Sequence, residues 1–285
     1  MAAAVDVRPH AVGPERILVA TDLEVAGDAA VRVALARAQK TGAQVAVCHV
    51  CEDCAGGEQK VREQLRGLLG SDADHVEVMV HEGAPADQIG QCAQAWHANL
   101  VVIGRPEHPT GILRRLFRPG VVDQVLRHTP CRVLVTRREP ASGRVIVGVD
   151  ADQPLPILEA AADEVAQRPG GSVIVAHWIP PVGSAMTTLS DAAVPLVSWE
   201  DLVASALPPI EAAVRAAGLH AEVRVMAGDP GRGLCELAGE LAADLVIVGT
   251  HGRSGLARIA LGSVAERVAN DAPSSVMVVR LGDTP

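Results

Sequence analysis

Three glycines and a serine near the end of the chain are spaced as an anion-holding loop requires. The segment is Asp244-Leu-Val-Ile-Val-Gly-Thr-His-Gly-Arg-Ser-Gly-Leu-Ala-Arg-Ile-Ala-Leu-Gly-Ser-Val-Ala-Glu-Arg-Val268. Gly249 and Gly252 follow the apolar run Leu245–Val248, and Gly262-Ser263 comes after nine further residues. Glycine lets backbone N–H groups approach a ligand without side-chain interference. The apolar run has the length and β-branching of a buried parallel strand. Ser263 with Glu266 three residues on reads as a capping box, and Val264 and Val268 supply the apolar stripe of a helix. Strand, glycine loop and helix start together offer unpaired N–H groups and a positive dipole end, which suits a phosphate.

The pattern G-x-x-G-x9-G-S resembles the nucleotide-binding signature of the universal stress protein family. That resemblance implies ATP, with or without Mg²⁺, held by Gly249, Thr250, His251, Gly252, Arg253, Gly262 and Ser263, with Val264 and Ala265 adding helix amides. Asp150, beside Val149, is implied to contact the nucleoside, and Ala176 or His177 to lie along the adenine. Arg258 is a further nearby cation. One departure is Asp150-Ala-Asp-Gln-Pro, which lacks the small Ser often found after the family Asp. A plainer reading stands beside each role. Glycines make turns, Ser263 caps a helix, Asp150 is a turn carboxylate, and His177 has a twin in His49 that points to a shared structural task.

Those elements recur. Arg16–Asp22 returns as Arg144–Asp150 and Val45–His49 as Val173–His177, both at an offset of 128. Later, Asn99–Gly104 returns as Asp244–Gly249 at 145, and Thr129–Thr136 as Ala272–Val279 at 143. An ordered, drifting offset marks a duplicated domain. The second copy gains 17 residues (145 − 128) in the Pro/Ser/Thr/Ala-rich stretch 180–195. The organisation read from this is a tail at 1–13, a first domain at 14–137, a linker at 138–143 and a second domain at 144–285.

Strands alternate with helical patterns such as Asp28–Lys40 and Pro230–Ala243, which predicts parallel sheets with helices on both faces. The expected fold is α/β, two tandem Rossmann-like domains. The family resemblance adds the strand order 3-2-1-4-5 for each five-stranded sheet. Ligands in such sheets bind beyond the carboxyl ends of the strands. Tandem chains of the family resemble a dimer made from one chain, so the halves are expected to pack through Val133–Thr136 and Val276–Arg280, with or without a further homodimer.

Totals narrow the class. The chain has 285 residues, is 48% hydrophobic, and carries three Trp, one Phe and no Tyr, with a net charge of −9. A Val/Ile/Leu/Ala core suits parallel strands, while the scarcity of aromatics and the negative charge argue against nucleic-acid partners. No apolar run reaches membrane-spanning length, and the N-terminus lacks the pattern of a secretory signal, so a cytoplasmic protein is expected.

Copy one departs from the motif: Gly104-Arg-Pro-Glu-His-Pro-Thr-Gly runs to Pro119-Gly120. Pro106 and Pro109 remove N–H donors, and Glu107 would repel phosphate. Copy one is therefore expected not to bind ATP, although Arg105, Arg114, Arg115 and Arg118 could hold another anion or a partner. Nothing resembles a Walker lysine, a metal-binding carboxylate pair or a nucleophile elbow, so binding rather than catalysis is expected. One rival is metal or redox sensing through Cys48, Cys51 and Cys54, with His75, His81, Cys92 and His97 as further donors. Against it, Cys48 and His49 face opposite ways on a strand, and the ordinary state of such thiols in the cytoplasm is reduced. Another rival is a nucleotide-free scaffold for a protein or lipid-like ligand, with the 17-residue insertion as its contact.

Overall fold

The computed structural model describes residues 14–105, 121–137, 142–168, 170–180, 198–250 and 261–280. Copy one runs β1 (Arg16–Thr21), α1 (Val25–Thr41), β2 (Gln44–Cys51), α2 (Gly57–Leu69), a 3-10 turn at Gly70–His75, β3 (Glu77–Glu82), α3 (Pro85–Ala95), β4 (Leu100–Gly104), α4 (Val121–His128) and β5 (Arg132–Thr136). Copy two runs β6 (Val145–Gly148), α5 (Leu155–Ala166), β7 (Val173–Ile179), α6 (Trp199–Ala216), β8 (Glu222–Ala227), α7 (Pro230–Glu240), β9 (Leu245–Gly249), α8 (Ser263–Asp271) and β10 (Ser275–Val279).

The strands form one ten-stranded sheet in the order β3-β2-β1-β4-β5-β10-β9-β6-β7-β8. Each half has the expected 3-2-1-4-5 order with parallel pairing. The seam is antiparallel, with Val276 opposite Val135 and Val278 opposite Val133. The last strands therefore join the halves, as their expected packing required, and do so edge to edge. Pairing these two strands leaves neither as an open edge.

Period-two alternation along strands buried on both faces builds two cores. Leu18, Val101, Ile146 and Val246 face one side with α3, α4, α7 and α8. Ile17, Val19, Val145 and Ile247 face the other with α1, α2, α5 and α6. Each core runs through both copies. No described helix is long and apolar enough to cross a membrane.

The duplication extends to individual hydrogen bonds. Arg16 Nε donates to the Trp96 carbonyl at 2.8 Å, and the Arg144 guanidinium likewise donates to the Leu241 carbonyl. Asn99 Oδ1 accepts from Arg16 N at 2.7 Å, while Asp244 Oδ2 accepts from Ser142 N at 2.7 Å and from Gly143 N. His97 and Ala242, one per copy, both take a left-handed φ just past α3 and α7. In each case the next residue's N–H bonds back to the helix, Ala98 to the Ala93 carbonyl and Ala243 to that of Ala238. This closes the helix end by the usual left-handed route.

Candidate functional site

In copy two the carboxyl ends of β6, β7 and β9 meet the start of α8. Val149 N donates to the Ala176 carbonyl at 3.0 Å, extending the β6–β7 ladder by one residue. Asp150 then leaves the sheet, and its Oδ1 accepts from Asp152 N at 3.2 Å. That bond is the turn role expected of a strand-end aspartate. Thr250, buried after Gly249, donates its N–H to the Val279 carbonyl at 2.9 Å, and its own carbonyl accepts from Gly262 N at 2.7 Å. A backbone bond thus ties together the two ends of the glycine loop. His251, Gly252, Arg253 and Arg258 lie outside the described residues.

Two expectations change here. Gly262, not Ser263, is the cap of α8, with extended backbone (φ −68°, ψ 149°) and no side-chain cap bond. Ser263 opens the helix, and Glu266 does not return to close a capping box. Glu266 instead pairs with Arg127 of copy one at 3.5 Å. The N–H of Gly262 is engaged by Thr250, so the amides without intrahelical partners are those of Ser263, Val264 and Ala265. With no side-chain acceptor at the cap, this end of α8 retains the dipole and donors that favour an anion.

His177 serves structure. Its ring is buried, and Nδ1 donates to the Val149 carbonyl at 2.9 Å; His49 does the same to Thr21 at 2.9 Å in copy one. The strand neighbours of His177 face the other way. Ala176 and Trp178 lie in the core on the α7/α8 side. Trp178 is 7% exposed and packs on α7 so closely that a Cβ at Gly233 would stand 2.2 Å from its indole nitrogen. Sequence reasoning passed over Trp178, which the alternation about His177 could have placed beside Ala176.

The matching place in copy one is a small apolar cleft of about 50 Å³. Cys48 and Val50, counterparts of Ala176 and Trp178, line it together with Ile89, Ile103 and Val125, and Asp22 stands in its wall. Asp22 Oδ1 accepts from Glu24 N at 3.0 Å, while Oδ2 is buried with no hydrogen-bond partner. Burial pushes the Asp22 pKa up, backbone donors from Glu24 and Gly27 oppose this, and Asp28 adds to the rise. The Gly104 backbone lies directly under the first turn of α1, where a Cβ would collide with the Ala26 carbonyl. Residues 106–120, with Pro106, Glu107, Pro109, Arg114, Arg115 and Arg118, fall outside the described part.

Arg105 follows Gly104, and its Nη1 donates to the Ala269 carbonyl of α8 at 2.6 Å. Arg137 Nη2 donates to Asn270 O of the same helix at 2.8 Å, and Asn270 Nδ2 donates to Asp123 of α4 at 2.8 Å. Copy one thus grips the carboxyl end of the helix whose amino end is the candidate anion site. Arg105, read as able to hold another anion or a partner, is used in this contact with copy two.

The cysteine cluster does not converge. Cys48 is buried with its Sγ 3.5 Å from Cys92 Sγ, and that contact, with burial, pushes the Cys48 thiol up. Cys51 and Cys54 form a disulfide rather than the reduced pair expected. No group of three or more His, Cys, Asp or Glu side chains suited to one metal ion occurs among the described residues.

Two doubly wound halves fused through their fifth strands, one ending in a looped helix start, define a tandem α/β protein of the kind that binds ligands at the strand ends. The chain belongs to the universal stress protein family, whose model matches residues 14–137 and again 142–280. A universal stress protein of Mycolicibacterium smegmatis is 28% identical over 199 residues, covering 64% of this chain and 62% of that one. The chain thus matches about three fifths of that relative's length. Among solved structures, a functionally unknown protein of Pseudomonas aeruginosa PAO1 superposes with a TM-score of 0.67 at 18% identity, covering 95% of this chain and 94% of the other. A universal stress protein from Archaeoglobus fulgidus gives 0.61 at 18%, covering 95% and 97%. These two likenesses concern the fold.

Proposed function

We propose that copy two binds one adenine nucleotide, ATP with or without Mg²⁺, and that copy one does not. The observation that carries this reading is the uncapped start of α8 directly after a glycine loop closed by the Thr250–Gly262 bond. Ser263, Val264 and Ala265 offer amides to phosphate, and Asp150 stands at the neighbouring strand end to receive the nucleoside. Ala176 and Trp178, both buried, form the apolar backing on the base side; His177 only steadies the strand ends. The motif residues Gly249, Gly252 and Arg253, with His251, complete the loop as the family pattern implies. Binding acts as a switch rather than leading to turnover. A phosphate would be held at the amino end of α8, while the other end of that helix is held by copy one.

The test is calorimetric titration of the full chain with ATP–Mg²⁺ beside Gly262→Asp. Gly262 has ordinary extended backbone that Asp adopts readily, and Asp is a favoured cap. Its carboxylate would occupy the helix start and repel phosphate. The expected result is one ATP per chain for the parent and affinity reduced by about 100-fold or more in the variant, with Tm unchanged or raised. Two ATP per chain, or binding unchanged in the variant, would refute this assignment of the site.

A further inference from the structure

We infer that Cys51 and Cys54 form a reversible redox pair, a thiol–disulfide modification site at the ligand edge of copy one that is independent of nucleotide. Cys51 is the last residue of β2, and Cys54 lies in the turn leading to α2. The disulfide between them spans a sequence separation of 3. Both cysteines are only partly buried, and the intervening Glu52 and Asp53 are exposed, so a small thiol can reach the sulfurs.

Three observations distinguish this pair from a structural staple. First, so short a loop constrains the unfolded chain little. Secondly, β2 is already held in register on both sides, with Thr21 opposite His49 and Glu82 opposite Cys51. Thirdly, copy two builds the same strand without it: Ile179 pairs with Ala227 as Cys51 pairs with Glu82, and in sequence Pro180-Pro181-Val182 align with Glu52-Asp53-Cys54 at the 128-residue offset. The fold does not need the sulfurs.

The surroundings suit exchange chemistry. Gly57, the first residue of α2, approaches the pair so closely that a Cβ there would lie 3.6 Å from Cys51 Sγ and 3.8 Å from Cys54 Cβ. Gly57 N donates to the Cys54 carbonyl at 2.8 Å, and Gly56, the helix cap, provides no side-chain acceptor. The dipole of α2 favours a thiolate at this end, opposed by the His81 carbonyl, which lies 3.9 Å from Cys51 Sγ and 3.4 Å from Cys54 Sγ and accepts from the thiols once the bond is reduced. Cys48 and Cys92 differ, being buried against each other.

Reduction by a monothiol such as glutathione proceeds in two exchanges. One glutathione thiolate attacks a cysteine sulfur, forming a mixed disulfide and expelling the other cysteine as a thiolate that takes up a proton. A second glutathione thiolate attacks the glutathione sulfur of the mixed disulfide, releasing the remaining cysteine and forming oxidised glutathione. Two electrons and two protons pass from two thiols to the protein. The product is a freed turn between β2 and α2, one residue beyond Val50 in the cleft wall.

The experiment equilibrates the full chain in buffers of reduced and oxidised glutathione, followed by alkylation and peptide mapping. The expected result is that Cys51 and Cys54 titrate together as a two-electron couple, passing from about one tenth to nine tenths reduced over a roughly hundred-fold change in [GSH]²/[GSSG]. Cys48 and Cys92 stay thiols throughout, and Cys51→Ser/Cys54→Ser shifts Tm by no more than about 3 °C. A pair that stays oxidised in reduced glutathione alone overturns the proposal, as does one that stays reduced in oxidised glutathione alone. So does a disulfide mapping to Cys48–Cys92 or between chains, or a Tm that falls by about 10 °C or more on reduction.

Discussion

The two faces of the seam between the halves are held by different means. On the α4/α8 side the arginines that follow the last strands make a matched pair of contacts, beside the unmatched Arg105–Ala269 bond. Arg137, after β5, donates to the Asn270 carbonyl ending α8, and Arg280, after β10, donates to the Leu126 and Arg127 carbonyls ending α4 at 2.9 and 2.8 Å. Each half thus caps the last helix of the other, placing a cation where a helix dipole is negative. On the α1/α5 side there is one lopsided cluster. Arg37 of copy one is buried between Glu15 of its own half and Glu164 of copy two, at 2.8 and 2.7 Å, with Arg168 also on Glu164 at 3.2 Å. The counterparts of Arg37 and Glu164 at the 128-residue offset are Val165 and Ala36. The first face retains the symmetry of a dimer of identical units. The second contains a contact made once, where a dimer of identical units would make it twice, because the counterpart positions are Val165 and Ala36.

Breaking the lopsided cluster gives the largest expected effect. Glu164 is fully buried, so Glu164→Ala leaves Arg37 facing Glu15 alone and costs about 3–5 kcal/mol by denaturant unfolding. The double substitution Arg37→Met/Glu164→Leu recovers more than half of that loss, because two apolar side chains leave no unmatched charge in the pair. A loss below about 1 kcal/mol for the single variant would show that this face does not hold the halves together. The cluster also has a pH signature. Burial alone raises the Glu164 pKa, but the charge and hydrogen bond of Arg37, followed by Arg168 and Arg132, outweigh it and hold the pKa below the ordinary carboxylate value. A depressed pKa means that this contribution is present above the ordinary value and is lost as pH falls through the folded one. The Glu164→Ala penalty therefore shrinks in acid.

The matched face predicts equality. Arg137→Ala and Arg280→Ala each remove guanidinium bonds to helix-end carbonyls and cost about 1–2 kcal/mol. Since the roles are duplicates, the two losses agree within about 0.5 kcal/mol in the same assay, comparable to the additivity error of independent sites. A gap above about 1 kcal/mol would show that the geometric symmetry is not an energetic one.

Sequence resolved what depends on short-range pattern. The apolar runs gave the buried strands, the drifting offset gave the duplication, and the family resemblance supplied the strand order that the sheet shows twice. What stayed hidden depends on partners distant in the chain or on a single step of register. The engagement of Gly262 N–H requires the Thr250 carbonyl across an eleven-residue loop (residues 251–261). The contact of Arg105 could not be read locally because its acceptor, Ala269, is 164 residues away. Trp178 was missed beside His177 because one step along a strand reverses the face. Ser263 and Glu266 fit a capping box in spacing, yet the helix begins one residue earlier than that motif needs, and Glu266 has a partner in the other half.

The smallest effect addresses the two strand-end aspartates. Asp22 and Asp150 have the same turn bond in their respective copies, but Asp22 Oδ2 is buried beside an apolar cleft without a partner. Its raised pKa, caused first by burial, means that the folded state binds a proton more tightly than the unfolded one. Stability from this group is therefore fully present in acid and declines as pH rises through the folded pKa. Asp22→Asn keeps an oxygen acceptor for Glu24 N and removes the charge. The variant melts higher than the parent at pH 7, by about 2 °C or less, and the advantage fades on acidification below the ordinary carboxylate range. If copy two alone is the nucleotide half, Asp22→Asn leaves ATP affinity unchanged, whereas Asp150→Asn weakens it. A variant at Asp22 that lowers ATP affinity as much as one at Asp150 would mean that both copies contribute to binding, and the division of labour between them would have to be redrawn.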